Sequence, residues 1–336
     1  MRRDLTDPTD LLGFADPEAE LTAPVYDAIS VPEAFGPVEL VVDEHKARRF
    51  AFSQGTAVGT ADATGAQTAP VGIVANDLLQ MFTLHYAASQ VVGLHTEEEL
   101  WFDRPVTVGE RVTLTATYVE KYERRGQGHV VMVADARDAQ GRHLLRHRGV
   151  EIMRTAPAEV AGRGSAGDTA RRVRAEWEQT LPLLELVAVD SPVGSGLAPL
   201  RREATLEQMA VFSRIGEGIT NIHNDVRTAR KAGLDLPIMQ GQQLVCHLAQ
   251  FLVERIGAGF QHGGWLHVKF LKPIRATETF FLEGALRGVA VVQDRPRAEV
   301  EVWVRRPDGG LAAVGWGSAD LHTTIVADPD LGRHGG

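Results

Sequence analysis

An internal repeat constrains this chain more than any other feature. Residues 100–114 and 268–282 align at a single offset, so that Phe102 falls on Phe270, Pro105 on Pro273, Val106 on Ile274, Glu110 on Glu278 and Leu114 on Leu282. Upstream, Pro37 matches Pro199, Asp43 matches Thr205 and Phe50 matches Phe212. A third pairing sets the segment from Ile73 to Leu78 against that from Ile238 to Gln243. All three keep their order in both halves, as duplicated structural units do and chance matches do not. The chain therefore divides into an extension at 1–29, a first module at 30–155, a Gly-rich linker at 156–184, a second module at 185–325 and a tail at 326–336. A length of 336 residues suits two domains.

Hydrophobic periodicity gives each module the same plan. A short helix comes first, over 43–51 and 205–214, with Asp43 and Thr205 as plausible N-caps. A long apolar helix follows, from Asn76 to about Val92 in the first module and from Gly241 to Ile256 in the second. The second of these is apolar on most faces and wants burial. Four strands complete each module: 98–103, 110–122, 128–137 and 142–154, then 264–271, 278–288, 293–305 and 310–323. Period-two alternation with one polar side predicts antiparallel sheet, with Asp138 and Asp308 opening hairpin turns at matching positions. The architecture expected is α+β, each half a long buried helix wrapped by an antiparallel sheet, the two sheets joined edge to edge. A further short helix is expected within 169–182.

Charge and composition exclude several classes. With 35 basic and 44 acidic groups the net charge is −9, the wrong sign for a broad nucleic-acid surface. One cysteine, Cys246, excludes an internal disulfide and is expected in the core. Residues 1–24 lack the apolar run of a signal peptide and no stretch approaches the ~20 apolar residues of a membrane span, so a cytoplasmic location without membrane association is expected. The twelve histidines are scattered, without metal-ligand spacing, and no nucleotide-binding motif occurs, so neither metal nor cofactor is expected.

Three stretches of the second module carry a family resemblance: Val193 to Leu200; Phe212 to Asp225, which holds Phe212, Ile222, His223 and Asp225; and Ala229 to Gly241, which holds Ala229, Gly233, Ile238 and Gly241. Here the chain resembles the MaoC-like hydratases, the R-specific enoyl-thioester group of hotdog proteins. Weaker similarity in the first module extends the likeness over most of the chain. The resemblance implies a tandem double hotdog, an acyl-CoA or acyl-carrier-protein substrate of the fatty-acid or polyketide kind, and lyase chemistry by hydration or dehydration. It also implies that the N-terminal half shapes an acyl pocket while the C-terminal half does the chemistry. Three family positions are changed: the catalytic acid, five residues before the histidine, is Gly218; the asparagine two residues later is Thr220; and the histidine before the helix-opening glycine is Gln240.

Adding water across an enoyl thioester needs a base, a proton for the α carbon and a donor for the enolate oxygen. His223 is the natural base. The backbone N–H of Gly241, opening the buried helix, is the expected oxyanion donor, worth about 3–4 kcal/mol of barrier, with glycine leaving room for the carbonyl. For the acid, Glu217 adjoins the vacated position and is one methylene longer; Asp225 is the other candidate, or a helix cap near Val226; a third reading has His223 working alone through water, which favours isomerisation, elimination of a good leaving group or ring closure by conjugate addition. Gly218, Thr220, Asn221, Asp225, Gln240 and Gln242 are the expected substrate contacts. Altered chemistry on the same scaffold stays open, as an isomerase, lyase or cyclase of a biosynthetic pathway, as does a catalytically silent acyl-binding subunit. In the first module, Asn76 and Asp77 stand where the helix opens without glycine, and substituting them is expected to change acyl-chain choice more than chemistry. A homodimer of tandems is compatible with this plan.

Overall fold

A computed structural model describes residues 18–59, 66–154, 172–214 and 220–321. Glu217 and Gly218, the first part of the linker and both chain ends lie outside these residues.

The repeat becomes a single antiparallel sheet of ten strands in the order β1-β3-β4-β5-β2-β7-β10-β9-β8-β6. From the first half come β1 (Glu33–Val41), β2 (Leu94–Phe102), β3 (Arg111–Arg124), β4 (Gln127–Arg137) and β5 (His143–Ile152). The second half supplies β6 (Gly196–Glu203), β7 (Gly264–Phe270), β8 (Thr279–Val292), β9 (Arg295–Arg305) and β10 (Leu311–Asp320). The halves meet where β2 pairs antiparallel with β7, from Glu97↔Lys269 to Phe102↔Gly264. Glu99 faces His267 in that ladder, and these two residues are also repeat equivalents at the offset of the longest alignment. The pseudo-twofold axis therefore passes through this pair. Joining at β2 and β7 removes the two edges that separate sheets would expose.

Capping follows the repeat. Helix α1 (Glu44–Gln54) starts where the Asp43 side chain accepts the Lys46 N–H, and α3 (Leu206–Phe212) where Thr205 accepts the Gln208 N–H. Helix α5 (Gly241–Ile256) is buried along its length, with Leu244, Val245, Cys246, Leu248, Ala249, Phe251 and Leu252 in one apolar core drawn from both halves. Each large side chain so buried contributes about 1.5–3 kcal/mol.

The first half does not form the expected long helix. Helix α2 (Ala75–Leu79) passes into a 3-10 segment over Gln80–Leu84, the chain turns, and a second 3-10 turn covers Ala88–Gln90. The break has a tertiary cause: the His85 carbonyl accepts the Thr22 N–H, the Ala87 N–H donates to the Thr22 carbonyl, and the Tyr86 hydroxyl donates to Glu33 at 2.6 Å. Those partners replace a helical ladder. Nor is there a helix within 172–182. That segment lies extended over β8 and β9, where Arg287 and Arg305 donate to the carbonyls of Glu176 and Ala175, Glu301 accepts the Arg174 N–H, and Trp177 stacks on Trp303 at 5.9 Å. Side chains of the sheet take the backbone groups that a helix would have used.

Candidate functional site

The segment carrying His223 is built from the bottom by a small apolar plug. Ile222, Ala232 and Ile238 form a satellite core against Val92 and Leu234. The Asn221 side chain accepts the His223 N–H at 2.9 Å, and that of Asn224 accepts the Asn221 N–H at 2.9 Å, a local Asx network that holds the turn. The ring follows: His223 Nδ1 lies 2.8 Å from the Ile238 carbonyl oxygen, three residues before Gly241. A carbonyl only accepts, so Nδ1 carries the proton and Nε2 keeps its lone pair. Burial lowers the His223 pKa to about 4; the Ile238 bond opposes the shift and the charge of His95 adds to it. The imidazole is therefore neutral at pH 7.

Other expected residues take other positions. Asp225 accepts from the Thr228 N–H at 2.7 Å and the Thr228 hydroxyl at 2.8 Å, which makes it the N-cap of α4 (Val226–Lys231). Thr220 is exposed. Gln240 is buried and donates to Asn76 at 3.0 Å, Asn76 in turn donates to the Phe212 carbonyl at 2.9 Å, and Gln243 donates to the Ser53 carbonyl at 2.9 Å. Both amide atoms of the buried Gln242 are without a partner among the described residues. Asp77 is held by Lys46 at 2.7 Å. Cys246 is buried with its thiol pKa pushed up, and His247, beside Phe280, has a pKa lowered to about 3 by burial, so both belong to the core.

Gly241 opens α5, and among the described residues neither its N–H nor that of Gln242 meets an acceptor. The space its missing side chain leaves differs from the expectation. A Cβ at 241 would lie 3.0 Å from both Cβ and Nδ1 of His95 and 3.1 Å from Phe270 Cζ. That side is closed by protein.

His95 leads to a group that sequence reasoning missed. A β-bulge between His95 and Glu97 shifts the register of β2 against β5, and an inserted residue swaps the face of what precedes it. His95 thereby joins Glu98 on the inner side, where Leu100 and Phe102 are buried. His95 Nε2 is 2.9 Å from one Glu98 oxygen and His147 Nε2 is 3.0 Å from the other. Both Glu98 and His147 are completely shielded and the His95 side chain is 7% exposed. The separations are short but the ring N–H directions miss the oxygens, so these are ion-pair contacts rather than aligned hydrogen bonds. Burial pulls the His95 pKa down, but the Glu98 carboxylate outweighs it and the net shift is upward. Burial likewise raises Glu98, and the two imidazoles reverse it, leaving the carboxyl below its ordinary range. Glu151, opposite His95 in the ladder, is raised by burial. The available signal was an acidic residue in phase with Leu100 and Phe102.

A groove of about 280 Å³ lies on the other face of this part of the sheet, lined by Trp101, Thr115, Val133, Asp135, Arg146 and Arg148 among others. It includes neither His223 nor Gly241. Among the described residues there is no group of three or more side chains placed to hold a metal ion. No described helix is long and apolar enough to cross a membrane.

No protein-family model matches the chain, and no curated protein matches it in sequence. Solved structures do match in fold. A MaoC-like dehydratase superposes with a TM-score of 0.67 at 15% identity, over 91% of this chain and 99% of its own. A putative MaoC domain dehydratase from Chloroflexus aurantiacus gives 0.65 at 10% identity, over 89% and 98%. A double-hotdog protein of Mycobacterium tuberculosis, described as essential for bacterial survival during infection, gives 0.64 at 14% identity, over 89% and 98%. The fold of this chain is thus the double hotdog shared by MaoC-like dehydratases.

Proposed function

We propose that this chain is a hydratase or dehydratase of acyl thioesters, carried on coenzyme A or on a carrier protein, with His223 as base and the Gly241 N–H as oxyanion donor. One observation carries the proposal: the neutral His223 has its tautomer set by the carbonyl of Ile238, and Ile238 stands three residues before an unpaired N–H at the amino end of a buried helix. Helix N-termini attract negative charge, and a thioester enolate is where negative charge develops. Fold likeness to MaoC-like dehydratases supports the choice of reaction class.

In the hydration direction a water bonded to His223 Nε2 attacks the β carbon. Its O–H bond breaks and the proton passes to Nε2, a C–O bond forms, and the π electrons move to the thioester oxygen. The enolate re-forms its carbonyl as the α carbon takes the proton from Nε2, and the imidazole is neutral again. A pKa of about 4 makes the protonated ring a strong acid toward an enolate, so one histidine serves both half-steps. The N-terminal half, through Asn76, Ser53 and His95, supports the amino end of α5 and shapes the acyl side of the site.

The test is to mix the full-length protein with crotonyl-CoA and follow loss of the enoyl absorbance. His223→Ala is expected to slow turnover by about 10²–10⁴-fold, the usual worth of a positioned acid–base group. An unchanged rate in that variant rejects the assignment. Migration of the double bond without uptake of water replaces hydration by isomerisation on the same base.

A further inference from the structure

We propose that His95, contributed by the N-terminal half, is a second donor to the thioester oxygen, acting through Nδ1–H beside the N–H of Gly241. The inference rests on the thioester assignment above and adds a catalytic residue that the first half supplies to the second.

Geometry orients the ring. Its Nε2 side is taken by Glu98 at 2.9 Å, and its Nδ1 side lies at the amino end of α5, 3.0 Å from where a Gly241 Cβ would be. Nδ1 is buried and has no aligned hydrogen-bond partner among the described residues, the nearby Glu97 backbone raising the ring pKa without an aligned bond. Leaving such a donor unmet costs about 1–3 kcal/mol, so the arrangement is one that a ligand acceptor would complete. The neighbouring N–H groups of Gly241 and Gln242 are equally unmet. The ring thus borders the positive end of a helix dipole that carries two unmet N–H groups, while among the described residues the carboxylate that touches His95, Glu98, meets its Nε2 side and Glu151 lies opposite it in the ladder.

The ion pair supplies the proton that this role needs. Glu98 outweighs the effect of burial and shifts His95 toward its charged form, and His147 holds the second Glu98 oxygen at 3.0 Å. Glu98 and His147 are positioning residues: neither faces the thioester, and together they fix the ring by an ion pair in a site closed to water. His95 keeps its proton throughout. It accepts no electrons and breaks no bond; it stabilises the oxygen on which charge collects while His223 moves the water proton.

The experiment uses 3-oxobutanoyl-CoA, whose enolate has its own ultraviolet band, titrated with the full-length protein across pH. Wild-type protein is expected to bind it and to raise the enolate fraction at a given pH at least tenfold over free ligand. His223→Ala is expected to keep that enrichment while losing crotonyl-CoA hydration. The double variant His95→Leu/Glu98→Gln, which removes the His95–Glu98 pair as a unit, is expected to bind within a few-fold of wild type, to lose the enrichment, and to lower kcat about 10²–10³-fold with a smaller change in KM. Should the double variant not fold, His95→Gln is read in its place and a reduced enrichment is expected. Full enolate enrichment in whichever of these variants folds overturns the role of His95 alone. Failure of the wild-type protein to bind the thioester overturns the thioester assignment and this inference with it.

Discussion

Gly149 lies directly across β5 from Glu98, and a Cβ on Gly149 would come within 3.1 Å of a Glu98 carboxylate oxygen and 3.0 Å of His147 Cε1. The bare backbone there is what lets the ion pair form. Gly149→Ala is therefore expected to force the carboxylate and the ring apart and to destabilise the fold by about 1–3 kcal/mol, as overpacking of a closed site does. Urea denaturation reports it; a midpoint equal to that of the wild type refutes it.

Removing the charge of Glu98 should cost more than crowding it. Glu98→Gln takes the counter-charge from His95 and the contact from His147, and breaking a buried pair costs about 3–5 kcal/mol. The sign of the pH dependence follows from the shifts. Glu98 is depressed, so its contribution is present above the ordinary carboxylate range and is lost as pH falls through its folded value. His95 is raised, so its contribution is full below its unfolded value near 6.5 and is lost as pH rises through the folded one. The gap in unfolding free energy between wild type and Glu98→Gln should be widest between those limits and should narrow on both sides.

His223 and His247 act in the opposite sense. Their pKa values are lowered to about 4 and about 3, so between pH 6.5 and 4 the unfolded chain binds protons that the folded chain refuses. Stability must fall with pH across that window. Urea midpoints at pH 7 and pH 4.5 should differ more in wild type than in His247→Leu. The hydration rate should keep its base form down to about pH 4 wherever the fold survives.

A methyl group at 241 meets His95 and Phe270 at once. Gly241→Ala is expected to displace the His95 ring and to lower crotonyl-CoA turnover about 10²-fold or more, while a thermal melt shifts by only a few degrees. Equal loss of stability and activity would show instead that the glycine serves packing alone.

Much of the fold was legible because the repeat, the matched caps at Asp43 and Thr205 and the period-two strands all express local chemistry. The helix of the first half was not, because Thr22, far away in sequence, takes the backbone groups at His85 and Ala87. In the site, the Ile222–Asp225 turn could be read from its Asx residues, and so could Gly241 from its place before an apolar run. His95 could not. Its inward direction depends on a bulge that only strand pairing reveals, and its partner His147 comes from another strand. Glu98 was the visible clue, an acid in phase with Leu100 and Phe102.

The axis through Glu99 and His267 has a consequence for stoichiometry. Twofold related halves offer two equivalent corners, and the two differ at the residue that opens the helix. Asn76, the repeat counterpart of Gly241, has its side chain committed to Gln240 and the Phe212 carbonyl. One equivalent of ligand per chain, with no second weaker step, is what calorimetry should record. A second, weaker step would instead place a ligand in the first half as well.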